Sequence, residues 1–142
     1  PQRTMLEELL IRELKKNPVP ALILQGKPGE PHQSQPLSGV RMLNHLNDEN
    51  LASAINDSYA VVSRGGYSTL CDLTTAGKKI ICIPTPGQTE QEYCAKYLAG
   101  KNMSVTMSQK KFSLVKALEQ LNSVEEFKFS PTSALREAIA TL

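Results

Sequence analysis

No apolar run in this sequence is long enough to cross a bilayer. The longest, such as Ala21-Leu22-Ile23-Leu24 and Ile80-Ile81-Cys82-Ile83, have four residues, against the roughly 18–20 that a spanning helix needs. No basic-then-apolar leader opens the chain, so nothing signals secretion. A surplus of one charge is also lacking: 16 Lys+Arg face 14 Asp+Glu, a formal charge of +2. That balance excludes a basic nucleic-acid arm or an acidic disordered tail as the main theme, and no nucleic-acid partner is expected. The cysteines, Cys71, Cys82 and Cys94, are odd in number and fit no zinc-ligand spacing. The only histidines are His32 and His45, and nothing places either beside a thiol, so a cysteine nucleophile has no evident base. The three thiols read as small hydrophobes in a reducing cytoplasm. No Asp-x-Asp pair occurs; neither a metal nor a cofactor is expected.

What the sequence does contain is an alternation of helical and strand patterns. Its 142 residues and 15.6 kDa allow one domain or half of a two-domain protein. Met5, Leu6, Leu9, Leu10 and Leu14 recur at helical spacing, with Thr4-Met5-Leu6-Glu7 as a capping box. The helix stops before Asn17-Pro18. Residues 21–24 form a buried strand, 27–39 a Pro/Gly-rich loop, and 40–46 a short strand. Residues 48–56 form a short helix and 59–63 a third strand. A helix over 67–76 is closed by Gly77, and 80–83 is a strand stopped by Pro84. A helix over about 90–98 is closed by Gly100, and 104–107 is an edge strand. Residues 110–121 form an amphipathic helix, and Ser130-Pro131 opens a last one with Leu135, Ala138, Ile139 and Leu142 on one face. Strands separated by single helices imply a parallel sheet with helices on both faces, a Rossmann-like α/β fold. Such a sheet normally opens on a strand, whereas this chain opens on a helix, so a first strand and its loop are expected upstream of Pro1.

In open α/β sheets, ligands bind beyond the carboxyl ends of the strands. Two stretches there stand out. Ser63-Arg64-Gly65-Gly66-Tyr67-Ser68-Thr69 joins a strand to a helix. Its glycines let backbone approach a ligand, and the helix start offers unbonded N–H groups and partial positive charge to a phosphate. Ser68 and Thr69 add hydroxyls. One turn on, Asp72 can accept from the vicinal hydroxyls of a ribose. Pro84-Thr85-Pro86-Gly87-Gln88-Thr89-Glu90-Gln91 follows the next strand, and Glu90 with Gln91 suits the several hydroxyls of a sugar. Taken singly, each feature also fits plain turn and capping chemistry. After the second strand, His45-Leu46-Asn47-Asp48 offers backbone to a planar base edge. Lys78-Lys79 reads as solvated charge.

The ordered set Ser63 to Leu73, then Ala76-Gly77-Lys78-Lys79-Ile80, Ile83-Pro84 and Glu90-Gln91-Glu92-Tyr93, resembles the C-terminal domain of family 28 glycosyltransferases. That group includes the peptidoglycan N-acetylglucosaminyltransferase and the galactolipid synthases. The resemblance implies the C-terminal half of a GT-B fold, which binds a nucleotide-sugar donor, commonly a UDP-sugar. Position by position, Gly65, Gly66 and Tyr67 would present backbone near the diphosphate, and Arg64, Ser68 and Thr69 are expected in the same nucleotide-sugar site. Asp72 would hold the ribose, and Glu90 and Gln91 would read the donor sugar. Glu92 departs from the second Gln found in the peptidoglycan enzyme. The resemblance further implies that the chain is a fragment of a longer protein. Its partner is then an acceptor-binding N-terminal domain or subunit, at the cytoplasmic face of a membrane that the missing half could touch.

The implied reaction is inverting transfer of a hexosyl group. An acceptor hydroxyl attacks the anomeric carbon as the nucleoside diphosphate leaves, its charge met by backbone N–H groups and a helix dipole. The base would come from the other half, so no catalytic residue is named here and the fragment alone is expected to turn over poorly. A stand-alone donor-binding subunit, a UDP-sugar 2-epimerase-like enzyme and a non-catalytic nucleotide-binding module remain alternatives.

Overall fold

The structure, a computed structural model, describes residues 2–27 and 37–125. Ten regular elements and one 3-10 turn alternate in chain order: α1 (Gln2–Lys16), β1 (Ala21–Leu24), β2 (Val40–Leu43), α2 (Asp48–Asp57), β3 (Ala60–Ser63), α3 (Tyr67–Thr75), β4 (Lys79–Cys82), α4 (Thr89–Gly100), β5 (Ser104–Thr106), the 3-10 turn (Gln109–Lys111) and α5 (Leu114–Leu121). All strand pairs are parallel. They form a two-stranded sheet, β1-β2, and a three-stranded sheet in the order β3-β4-β5. From β2 to β5 each strand passes to the next through a helix, the Rossmann-like α/β arrangement expected from the sequence.

The surroundings of β4 explain why the run from Ile80 to Ile83 is unbroken by polar residues. Ile81 and Ile83 belong to one hydrophobic cluster, with Leu9 and Leu14 of α1 and Leu114, Ala117 and Leu121 of α5. Ile80 and Cys82 belong to a second, with Leu70 and Leu73 of α3 and Ala95 and Leu98 of α4. Successive side chains of a strand point to opposite faces, so helices on both faces bury every residue from Ile80 to Ile83 to 1% exposure or less. Burial pushes the Cys82 thiol up to about 11, which leaves it a protonated core hydrophobe.

Several expectations change. β1 is not buried throughout, since Leu22 and Leu24 are each 39% exposed, and Gly100 lies within α4, whose C-cap is Lys101. Helix α1 already runs at Gln2, so Thr4 does not cap its start. Glu7, the other half of the expected box, instead accepts from Gln25 Nε2 at 2.9 Å. The helix expected over 110–121 divides: Phe112 (φ −64°, ψ 132°) and Ser113 are extended between the 3-10 turn and α5. Phe112 is buried in the first cluster, so an aromatic side chain entering the core interrupts the helical run. Lys78 and Lys79 are not merely solvated. Lys78 Nζ donates to Asn56 O at 2.7 Å and Ser58 O at 3.3 Å, at the end of α2, where a helix presents unbonded carbonyls. Lys79 Nζ lies 5.3 Å from the centroid of the Tyr59 ring. The helix expected after Ser130-Pro131 lies outside the described residues.

Candidate functional site

The carboxyl ends of β3 and β4 bring the two sequence motifs together. Directly after β3, Ser63 Oγ accepts the Gly65 N–H at 3.1 Å, a tight side-chain turn. Gly65 has φ +85°, a conformation that glycine adopts without steric cost. The turn packs against α4: a Cβ built on Gly65 would lie 3.5 Å from Gln91 O and 3.7 Å from Ala95 Cβ. The start of α3 and the start of α4 are therefore neighbours at one edge of the sheet.

Both helix starts are open. Gly66 is the N-cap of α3 and has no side chain to cap with. The first helical amide bonded back is Leu70 N–H, to Gly66 O at 3.0 Å. That leaves the Tyr67, Ser68 and Thr69 amides without intrahelical partners. The N-cap of α4 is Gln88, which makes no side-chain capping bond either. Its first bonded amide is Glu92 N–H, to Gln88 O at 3.0 Å. Helix starts of this kind attract anions.

The loop before α4 is held by two side chains from the helix itself. Gln88 N–H donates to Thr85 O at 3.0 Å, and Gly87 has φ +83°, a Pro-Gly turn of type II. Gln91 Oε1 accepts the Thr85 N–H at 2.9 Å, and Glu92 Oε1 accepts the Gly87 N–H at 3.2 Å. Gln91 thus spends one acceptor site of its oxygen on the loop and offers its NH2 group to a ligand, while Glu92 serves the loop. The sequence grouped Gln91 with the sugar readers but gave no sign of these bonds.

Asp72, Ser68, Thr69 and Glu90 are exposed, and among the described residues no ion pair holds Asp72 or Glu90. Asp72 lies on the second turn of α3, one turn from the open amides. Arg64 is placed differently. Its guanidinium donates to Ile83 O at 3.2 Å, to Gln109 Oε1 at 2.7 Å and to Gln2 O. It ties the residue just past β4, the 3-10 turn and α1 together, and its burial holds its pKa below the ordinary arginine value. Tyr67 is 65% exposed. It lines a groove of about 450 Å³ between α3 and α4 with Leu70, Cys71, Tyr93, Cys94 and Tyr97. The Cys71 thiol beside its hydroxyl raises the pKa of the Tyr67 phenol. His45 is exposed beyond β2, and Asn47 Oδ1 caps α2 through the Asn50 N–H at 2.9 Å. Among the described residues no three His, Cys, Asp or Glu side chains form a metal-binding group, and no helix is long and apolar enough to cross a membrane.

Parallel strands under helices on both faces, with two open helix starts at one carboxyl edge, make up a Rossmann-like α/β domain. Residues 11–141 match the profile of the glycosyltransferase family 28 C-terminal domain. The chain belongs to that family, and so to a glycosyltransferase. A comparison with curated proteins returned no match.

Proposed function

We propose that the chain binds a nucleotide-sugar donor, a UDP-sugar, for inverting transfer of a hexosyl unit to an acceptor held by a separate N-terminal half or subunit. The observation that carries this reading is the meeting of the α3 and α4 starts at the ends of adjacent parallel strands, within a family 28 domain.

In this reading the diphosphate lies on the Tyr67, Ser68 and Thr69 amides, with the Ser68 and Thr69 hydroxyls beside them. Gly66 lets the backbone approach, and Gly65 spends its own N–H on Ser63 to shape the turn. Asp72 accepts from the ribose hydroxyls. Glu90 accepts from the donor sugar, and the Gln91 NH2 donates to it. As the glycosidic bond to the diphosphate breaks, charge gathers on the leaving oxygens. Fixed N–H donors at a helix start then stabilise it, each well-placed donor contributing about 3–4 kcal/mol. Arg64 acts from behind, by fixing the loop against α1 and β4. The base that takes the acceptor's proton belongs to the other half, at the cytoplasmic face of a membrane.

Isothermal calorimetry with UDP and with a panel of UDP-sugars tests the reading. Binding in the micromolar to low millimolar range supports it, and no heat at millimolar ligand overturns it.

A further inference from the structure

Of the three thiols, only Cys82 is the buried hydrophobe that the sequence suggested. Cys71 is exposed and Cys94 half-buried. Both line the groove of about 450 Å³ between α3 and α4, in the company of Tyr67, Tyr93 and Tyr97. Among the described residues no charged side chain lines that groove. Donor binding at the carboxyl edge uses neither thiol.

The two thiols border the seam of one helix pair. Cys71 follows Leu70 and Cys94 precedes Ala95 in sequence, and Leu70 and Ala95 belong to one hydrophobic cluster, against which Cys94 itself packs. Tyr67 lies one turn before Cys71 on the same face of α3. Its hydroxyl bonds to the Cys71 thiol and also feels the Cys94 thiol, so the two sulfurs lie around one phenol. Packed helices have axes roughly 8–10 Å apart, and their Cα atoms stand about 2.3 Å from each axis. Positions bordering such a seam approach the Cα span of about 4.4–6.8 Å that a disulfide bridges.

We propose that Cys71 and Cys94 form a thiol–disulfide exchange site whose substrate is a small peptide disulfide of the glutathione type. The Cys71 thiolate, the more accessible of the two, attacks one sulfur of that disulfide. A mixed disulfide forms on Cys71, and the first small thiol leaves with the proton that Cys71 gave up. The Cys94 thiolate then attacks the Cys71 sulfur, and the second small thiol leaves with the proton from Cys94. The two cysteines lose two electrons between them, and the small disulfide is reduced to two thiols. No carboxylate lines the groove to repel an anionic peptide, and the product is an apolar bridge across an apolar groove. The bridge fastens α3 to α4 within two turns of both open helix starts. The site stands whether or not the domain binds a UDP-sugar.

Non-reducing peptide mapping by mass spectrometry tests this on the folded protein equilibrated with oxidised glutathione. The expected result is an intramolecular Cys71–Cys94 link that reduced glutathione reverses. Cys94→Ala should stop at the mixed disulfide on Cys71, and Cys71→Ser should slow adduct formation at Cys94 at least about tenfold relative to the wild-type link. Separate glutathione adducts on Cys71 and Cys94 of wild type, with no link between them, overturn the proposal. So does a link that joins two copies of the chain or that forms only in urea, and so does the absence of reaction at millimolar oxidised glutathione.

Discussion

Glu13 and Leu114 are bonded across 101 residues of sequence: Glu13 Oε2 accepts the Leu114 N–H at 3.2 Å. Leu114 is the first residue of α5, and the N-cap of that helix, Ser113, makes no side-chain bond of its own. A glutamate on α1 therefore does the capping that a neighbouring side chain usually does. Its second oxygen accepts Lys16 Nζ at 3.1 Å. The two helices are thus fixed to each other by a buried carboxylate as well as by the cluster around Leu9, Leu14, Leu114 and Leu121.

The Lys16 bond, aided by the Leu114 amide and opposed by burial, holds the Glu13 carboxyl below its ordinary value of 4.5. A group whose pKa is lowered on folding contributes stability above its unfolded value, and that contribution is lost as pH falls through the folded one. Urea denaturation of wild type should therefore show a loss of stability from about pH 4.5 downward that Glu13→Gln lacks. At pH 7 Glu13→Gln should cost about 1–2 kcal/mol, the worth of a charged hydrogen bond partly replaced by an amide.

Gly65→Ala should be destabilising although there is room for the methyl group. The nearest atom to an added Cβ is 3.5 Å away, an ordinary contact, but φ is +85°. Forcing a side chain into that region costs about 1–2 kcal/mol. The same strain would move the start of α3, so thermal melting and UDP affinity should fall together.

Gln91 separates loop support from ligand reading. Gln91→Glu keeps an oxygen for the Thr85 N–H and removes the NH2 donor. Its melting temperature should stay near wild type, with UDP-sugar affinity down about tenfold, or 1.4 kcal/mol, and UDP affinity little changed. Gln91→Ala loses both functions and should also melt lower. UDP-sugar affinity equal to that of wild type in both variants would remove Gln91 from the site.

Arg64→Lys should act on stability before it acts on binding. A lysine cannot reproduce the fork that reaches Ile83 O, Gln109 Oε1 and Gln2 O together. Loss of charged hydrogen bonds of this kind costs about 1.5–3 kcal/mol each. Chemical denaturation should show a loss in that range, with UDP affinity within about threefold of wild type. A larger loss of affinity than of stability would mean that the guanidinium reaches the diphosphate.

The sequence made the local chemistry legible and left the long-range partners hidden. The run Ile80-Ile81-Cys82-Ile83 is a doubly buried strand because apolar residues at consecutive positions must face both ways. The Gly65-Gly66 turn into α3 was readable from glycine's freedom and the helix pattern that follows. Arg64 was not, because its neighbours in sequence belong to the loop while its bonding partners are 19, 45 and 62 residues away. Glu13 looks like half of a surface pair with Lys16 until α5 folds onto it. The break at Phe112 was hidden for a related reason: helical spacing across residues 110–121 does not show that one aromatic side chain must leave the helix to fill the core.

Donor binding at the start of α3 is tested most directly by calorimetric titration of UDP into wild type and Asp72→Ala. Asp72 is exposed and among the described residues pairs with nothing, so its removal should leave folding intact. The account predicts UDP binding by wild type and an affinity loss of at least about tenfold, 1.4 kcal/mol, in Asp72→Ala. Absence of binding at millimolar UDP, or equal affinity in the two proteins, would contradict it.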